Sequence, residues 1–494
     1  MASSSQPQAG DRISSWGYSF SWTRDHLSRE ELEPLRQQYD TSAANALERL
    51  QAIRATLMEE SKAKGTSPPP SDLYVLLRDH RGDDDILAKF WTEVNTVPEW
   101  VDWEQLQRGQ QFFYRYAIAN IVGFALQGFV AENSAAPGVI EVLVRTGGFS
   151  TRMLLGRLLE TFQWLIQVTH CITSIRPGGE GHIASVRVRL LHASVRQRII
   201  QLCRARPDYF DLARFGVPVN TLDSVHSIST FCCNPMWLQL PKFGIQPTPE
   251  EVKDYIALFR YLGFLLGTPT SYFETVERSK CTMESLLAHE LRTTDTSRTV
   301  AFNFVECVTN LPGPFKVSKG FIEVGSRWIN GDELCDELEL GKPGLLFYLA
   351  FCGYCALVVA MAWVQRLFLS LDELLIAGFR SLLYGGVVQR KSRTRFEFRY
   401  VPRIGKQTGK EAYRVGDAAT TKASWIYHPM WTIPFKCLGV GLFEMVLLVM
   451  LGVSGVVIVG VMTGSCEMIR IMLTLILTIH DNNHMNDAYG VYPG

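Results

Sequence analysis

The stretch VRVRLLHASVRQRIIQ, Val186 to Gln201, limits the fold more than any other part of the chain. Val188, Leu191, Val195 and Ile199 recur at three- and four-residue steps, the spacing of a buried helix face. At about 100° per residue, Arg189, His192 and Arg196 share a sector of roughly 60° on that helix. His192 borders the apolar stripe and is expected to point inward. Two readings are open for it. The imidazole can bond axially to a haem iron, with the arginines near the acidic propionates. Alternatively it is a core histidine hydrogen-bonded to a carbonyl, with both arginines reaching solvent.

The rest of the chain to about Arg327 is also patterned as helices. Ser28 and Glu31 form a capping box, and helical periodicity continues through Leu50 and Leu57. The GTSPPPS segment, Gly65 to Ser71, is a loop. Phe112 to Val130 is apolar apart from Arg115, Asn120 and Gln127, and is expected to be a buried core helix. Ala131 to Gly138 is expected to be a loop, and Val139 to Arg145 either helix or strand. Met153 to Ile175 reads as a long helix with Arg157, Glu160 and Thr161 on one face. These three are either a working face or an ordinary surface ion pair with its neighbour. The RPGGEGH loop that follows has no preceding strand and no phosphate-binding lysine. Thr248, Pro249 and Glu251 mark a further helix start. No sustained strand alternation and no internal repeat occurs, so the expected fold is all-α. Residues 1–15 are expected to be disordered.

Composition matters mainly for membrane contact. The 494 residues carry a net charge of +0, so nothing points to nucleic acid as a partner. The 11 cysteines are scattered, and the single CxxC, Cys352 to Cys355, has no second pair to complete a zinc site. The N-terminus has no apolar core of the kind a cleaved signal requires. Two charge-free runs, at about 343–365 and 445–466, are long enough to span a bilayer. Between them, residues 390–422 hold ten Lys/Arg against three Asp/Glu and suit an anionic membrane face. The basic loop and the absence of Asn-x-Ser/Thr sequons favour opposite topologies, which stay open. The expected organisation is a helical domain over 16–340 and a membrane-anchoring region over 341–494, with one or two transmembrane helices.

Five segments in order resemble one family: VPEWVDWEQLQRGQQFFYRY (97–116), RLLET (157–161), VRLLHASVR (188–196), GVPVNTLDSVHSISTF (216–231) and YIALFRYLGFLLGTP (255–269). The family contains the fungal endoplasmic-reticulum-bound oxygenases of the mycophenolic acid pathway and the bacterial rubber oxygenases, or latex clearing proteins. The resemblance covers about Trp16 to Arg327, and the apolar tail looks more like the fungal members. It implies a helical bundle holding one haem b, with His192 as the axial iron ligand. It also implies that Arg157 and Thr161 act on the distal or supporting side. Arg189 and His226 would surround the haem, with Arg196 joining them on helix geometry and its place in the motif. Glu160 stands where a rubber oxygenase can carry a distal lysine, and Glu141 lies at the distance of the family's catalytic glutamate. The implied function is a membrane-bound haem oxygenase, on the endoplasmic reticulum membrane. It would use dioxygen to oxygenate or cleave a lipophilic substrate, prenylated or polyketide-type, in fungal-type secondary metabolism. The alternative is a haem-free, non-catalytic membrane binding or scaffold protein that keeps the fold.

Overall fold

Four helices in the N-terminal part each start on an aspartate. In the computed structural model, which describes residues 6–146, 151–309, 317–389 and 444–451, these are α1 (Thr41–Lys64), α2 (Leu73–His80), α3 (Asp85–Asn95) and α4 (Trp103–Arg115). Asp40, Asp72, Asp84 and Asp102 each accept a hydrogen bond from a backbone N–H of the first turn, which would otherwise lack a partner. Gly65 ends α1 in the left-handed region at φ +65°.

The apolar run 112–130 is not one helix. It breaks at Tyr116 into the end of α4, then α5 (Ala117–Gly123), then a wide π-helical segment (Phe124–Glu132). That segment continues into the residues expected to form a loop. Beyond it come α6 (Pro137–Arg145), α7 (Thr151–Thr169), α8 (Glu180–Ala205) and α9 (Thr221–Asn234). These are followed by α10 (Pro249–Leu265), α11 (Val276–His289), α12 (Asp295–Thr309) and α13 (Lys319–Asn330). The expected capping box at Ser28 is formed, and the helix start expected at Thr248 is also a capping box.

The protein is mostly helical, with one exception where disorder was expected. Arg12–Ser15 (β1) pairs antiparallel with Tyr18–Ser21 (β2) around a tight turn. Trp16 and Gly17 both take positive φ there, +44° and +76°, the backbone of a two-residue hairpin. The hairpin is clasped to α11. Tyr18 donates to Glu284 at 2.7 Å, and His26 Nε2 lies 2.9 Å from the same carboxylate.

Three apolar clusters hold the body together, and α8 enters all of them. Ala184 belongs to the main core, and Val186 and Leu190 pack with Leu47, Leu77 and Phe90 of α1–α3. Val195 and Ile199 pack with Tyr209 and Phe215. The main core includes the close crossing of α4 and α10. A Cβ at Gly109 would sit 2.6 Å from the Asp254 carbonyl oxygen, so only glycine allows this approach.

The first expected span is the helix α14 (Leu345–Leu367), long and apolar enough to cross a membrane. One face of it, however, is core. Phe351, Tyr354, Val358 and Ala362 are buried, and Tyr354 donates to the Ile118 carbonyl at 3.0 Å. The following helix α15 (Leu369–Leu383) is tied back through Asp372, which accepts from Arg115 at 2.7 Å. Helices α14 and α15 thus pack against the helical body. The helical residues 444–451 lie against α14 near Gly353. The rest of the expected second span and the basic segment 390–422 lie outside the described residues.

Candidate functional site

Helices α6, α7, α8 and α9 enclose a cavity of about 290 Å³, a size in keeping with a small-molecule site. Val188, Leu191 and Val195, the stripe read from the sequence as a buried face, line it. They are apolar because they face a void, while Leu190 and Ala193 on the adjacent face pack into solid core.

His192 opens onto this cavity. Neither ring nitrogen has a hydrogen-bond partner among the described residues. Burial, reinforced by the nearby Arg196 charge, pushes its pKa down to about 4. The ring is therefore neutral near pH 7, with a lone pair available to the cavity. Arg157, Glu160 and Thr161 line the same space from α7. Arg157 pairs with Glu160 at 3.0 Å, and the Thr161 hydroxyl donates to the Arg157 carbonyl at 3.2 Å.

The other expected site residues stand back from the wall. Neither Arg189 nor Arg196 reaches solvent. Arg189 is buried, held by Asp40 at 2.6 Å and by Glu93 on α3. Arg196 is also buried, but only its Nη2 is bonded, to the Val219 carbonyl at 3.0 Å. Its Nε and Nη1 have no partner, and burial lowers its pKa. His226 faces away from the cavity wall. Its Nε2 is 3.0 Å from Glu132, at ion-pair distance but with the N–H poorly aligned for a hydrogen bond. Burial alone would lower the His226 pKa, but the Glu132 and Asp223 carboxylates outweigh it and raise it. The carboxylate of Glu141 is held by Thr296 at 3.0 Å and Arg145 at 3.2 Å. Its neighbours Val139, Val142 and Leu143 line the cavity instead.

Two carboxylates escaped the sequence reading as site groups. Glu132, at the end of the π-helical segment, anchors a buried polar cluster that includes Gln127, Thr230 and Asn234. Asp223 lies on the cavity wall, and burial pushes its pKa up to about 7. The available signal was its place one helical turn before His226. Elsewhere, His26, Cys281 and Glu284 bring three ligand-type atoms within 4.8 Å of one another. The Thr23 backbone N–H donates to His26 Nδ1 at 3.0 Å, so the ring proton sits on Nε2 toward Glu284. In that arrangement the imidazole offers no free lone pair to a metal, and the cluster fastens the hairpin.

A helical bundle around a largely apolar cavity, with a neutral histidine on its wall, has the form of a small-molecule site. The chain belongs to the family described as "ER-bound oxygenase mpaB/B'/Rubber oxygenase, catalytic domain", whose model matches residues 113–360, half of the chain. The match runs past residue 340 into α14, in line with the packing of that helix on the body. Among solved structures, the chain is similar to that of latex clearing protein LCP in the closed state. The two share 18% identity at a TM-score of 0.51, over 70% of this chain and 91% of that one, which is a likeness of fold. No curated protein matches.

Proposed function

We propose that this chain is a haem b-dependent oxygenase that uses dioxygen on a lipophilic substrate, by oxygenation or C=C cleavage. Family membership supports the oxygenase class. The observation that carries the haem reading is the pairing of two unsatisfied groups on adjacent turns of α8. These are the His192 ring, which lines a largely apolar cavity, and behind the wall the buried Arg196 guanidinium, whose Nε and Nη1 have no partner. A buried polar group without a partner costs free energy, so such groups commonly mark a missing ligand. A haem presents the complementary chemistry: an iron that takes a neutral imidazole, and carboxylates that take guanidinium N–H groups. The donor set fits, although no described residue orients the His192 ring through its second nitrogen, as is usual at metal sites. When bound, the haem supplies dioxygen activation.

The chain's own residues would do the rest. His192 holds the cofactor and Arg196 neutralises one carboxylate. Arg157 and Thr161, on the facing helix, provide the polar contacts of the reaction space. The apolar walls exclude water and accept hydrocarbon. Arg189 acts through the fold, by fixing α8 to α1 and α3. His226 is a positioning residue behind the wall. Glu141 reaches the cavity as a base only by leaving Thr296 and Arg145.

The proposed location is the endoplasmic reticulum membrane. Trp363, Phe368 and Leu369 are 62%, 59% and 75% exposed at the elbow between α14 and α15, an apolar face that a bilayer interface would cover.

The test is the visible spectrum and pyridine haemochrome content of the detergent-purified chain beside His192→Ala. About one haem per wild-type chain, lost or spectrally shifted in the variant, is expected. A well-folded, haem-supplied wild type without haem overturns the reading in favour of a haem-free binding protein.

A further inference from the structure

The α9 wall of the cavity carries a row of hydrogen-bond acceptors beside the apolar Ile228 and Phe231. The hydroxyls of Ser224, Ser227 and Thr230 donate to carbonyls one turn back: Asn220 at 2.9 Å, Asp223 at 2.8 Å and His226 at 3.0 Å. Their protons are used, and acceptor lone pairs remain for the cavity. Thr161 on the facing helix is used in the same way. Asp223 heads this stripe. No side chain among the described residues donates to its carboxyl group or forms an ion pair with it, and the Asn220 backbone amide is the donor acting on it. Space has been kept for it. A Cβ at Gly138 would fall 2.8 Å from Asp223 Oδ1, so the start of α6 closes over the carboxyl in its present position, and a side chain there would push the carboxyl aside.

The charged groups around Asp223 do not neutralise it by contact. His226, on its own helix, is engaged with Glu132. Arg36, from the 3-10 turn Glu33–Arg36, is engaged with Glu33 and with Glu290, which follows α11. A carboxyl group with one backbone donor and no side-chain partner, in a largely apolar cavity, costs stability that a donor on a ligand would recover.

We infer that Asp223, with the acceptor stripe behind it, is the specificity subsite for a hydrogen-bond donor on the substrate, which is a lipophilic molecule bearing a hydroxyl group and not a bare hydrocarbon. The inference rests on this cavity being the substrate site. A site built to bond a hydroxyl discriminates against analogues lacking one far more strongly than an apolar pocket discriminates by size.

The test uses a matched pair, farnesol and farnesyl methyl ether. Their dissociation constants are measured by calorimetry on the detergent-solubilised full chain at pH 8.5, with haem quantified in each sample. Farnesol should bind wild type at least about tenfold more tightly than the ether, the worth of one hydrogen bond to a charged acceptor. Asp223→Asn, which supplies a donor of its own, should bring the two ligands level. Asp223→Leu should favour the ether. Lowering the pH to 5.5 should also reduce the preference in wild type, because a protonated carboxyl can donate to the ether oxygen. Equal affinities in wild type at pH 8.5, no binding of either ligand, or a preference that survives both substitutions overturns the inference. Loss of haem in the Asp223 variants with the preference intact also overturns it, by placing the carboxyl against the cofactor. The same titration on His192→Ala separates the two claims. The haem reading fails on the spectrum, whereas the subsite fails only on the alcohol-to-ether ratio.

Discussion

Arg196 carries a buried charge that its surroundings satisfy only in part. Its Nε and Nη1 have no partner, its Nη2 rests on the Val219 carbonyl at 3.0 Å, and the Tyr39 ring lies 4.7 Å away. Arg196→Met keeps the aliphatic stem and removes the charge. It should stabilise the haem-free chain by about 1 kcal/mol, seen in thermal or urea melts. It should also speed haem transfer to apomyoglobin, and a variant that is less stable and holds haem as before would rule out the role. Asp223 makes a pH prediction of definite sign. Its pKa is raised from an ordinary 3.8 to about 7 in the folded protein. Its contribution to stability is therefore whole below pH 4 and is lost as pH rises through 7. Asp223→Asn should remove a downward slope of stability between pH 4 and 7, by at most a few kcal/mol. An unchanged slope would show that the carboxyl is better solvated than its surroundings imply.

At the level of elements, the helices themselves could be read from the sequence, because caps and periodicity are local. The capping boxes at Ser28 and Thr248 and the central helix fall where the pattern puts them. What could not be read depends on distant partners. The run 112–130 breaks where Arg115 turns to pair with Asp372 and Glu251, both remote in sequence. The β1–β2 hairpin escaped because four-residue strands are too short to show alternation, and because Trp16 is an unusual residue for a positive φ. In the site, His192 and the α7 face were legible as helix faces, but the cavity between them was not. A stripe of valine and leucine reads the same whether it meets side chains or a void. Asp223 and Glu132 were missed because their meaning comes from His226 and from one another. The α4–α10 crossing gives a prediction of this scale. Gly109→Ala forces a Cβ against the Asp254 carbonyl and should cost about 2 kcal/mol in an equilibrium melt. A neutral result would mean that the two helices can part without loss.

For the molecule as a whole, the question is how an apolar helix can be both core and surface. On α14, Phe351 and Tyr354 are locked into the body while Leu345 and Trp363 are bare. Under the proposed membrane location, such a helix suits a protein lying on a bilayer by one face better than one hanging from a free span. Replacing Trp363, Phe368 and Leu369 together by serine should shift the protein from the floating to the soluble fraction in liposome flotation, with its melting temperature within a few degrees of wild type. Unchanged flotation would move the anchor elsewhere in the chain.

The helix that carries His192 also joins the three apolar clusters. It cannot swing or fray without opening all of them, so its amide protons should exchange with solvent only when the entire chain opens. Traffic in and out of the cavity then falls to the other walls, among them the seam between α6 and α9 where Gly138 faces Asp223. How long a guest stays would be set by that seam, and how firmly the His192 imidazole stands would be set by the fold, so the two can be tuned independently.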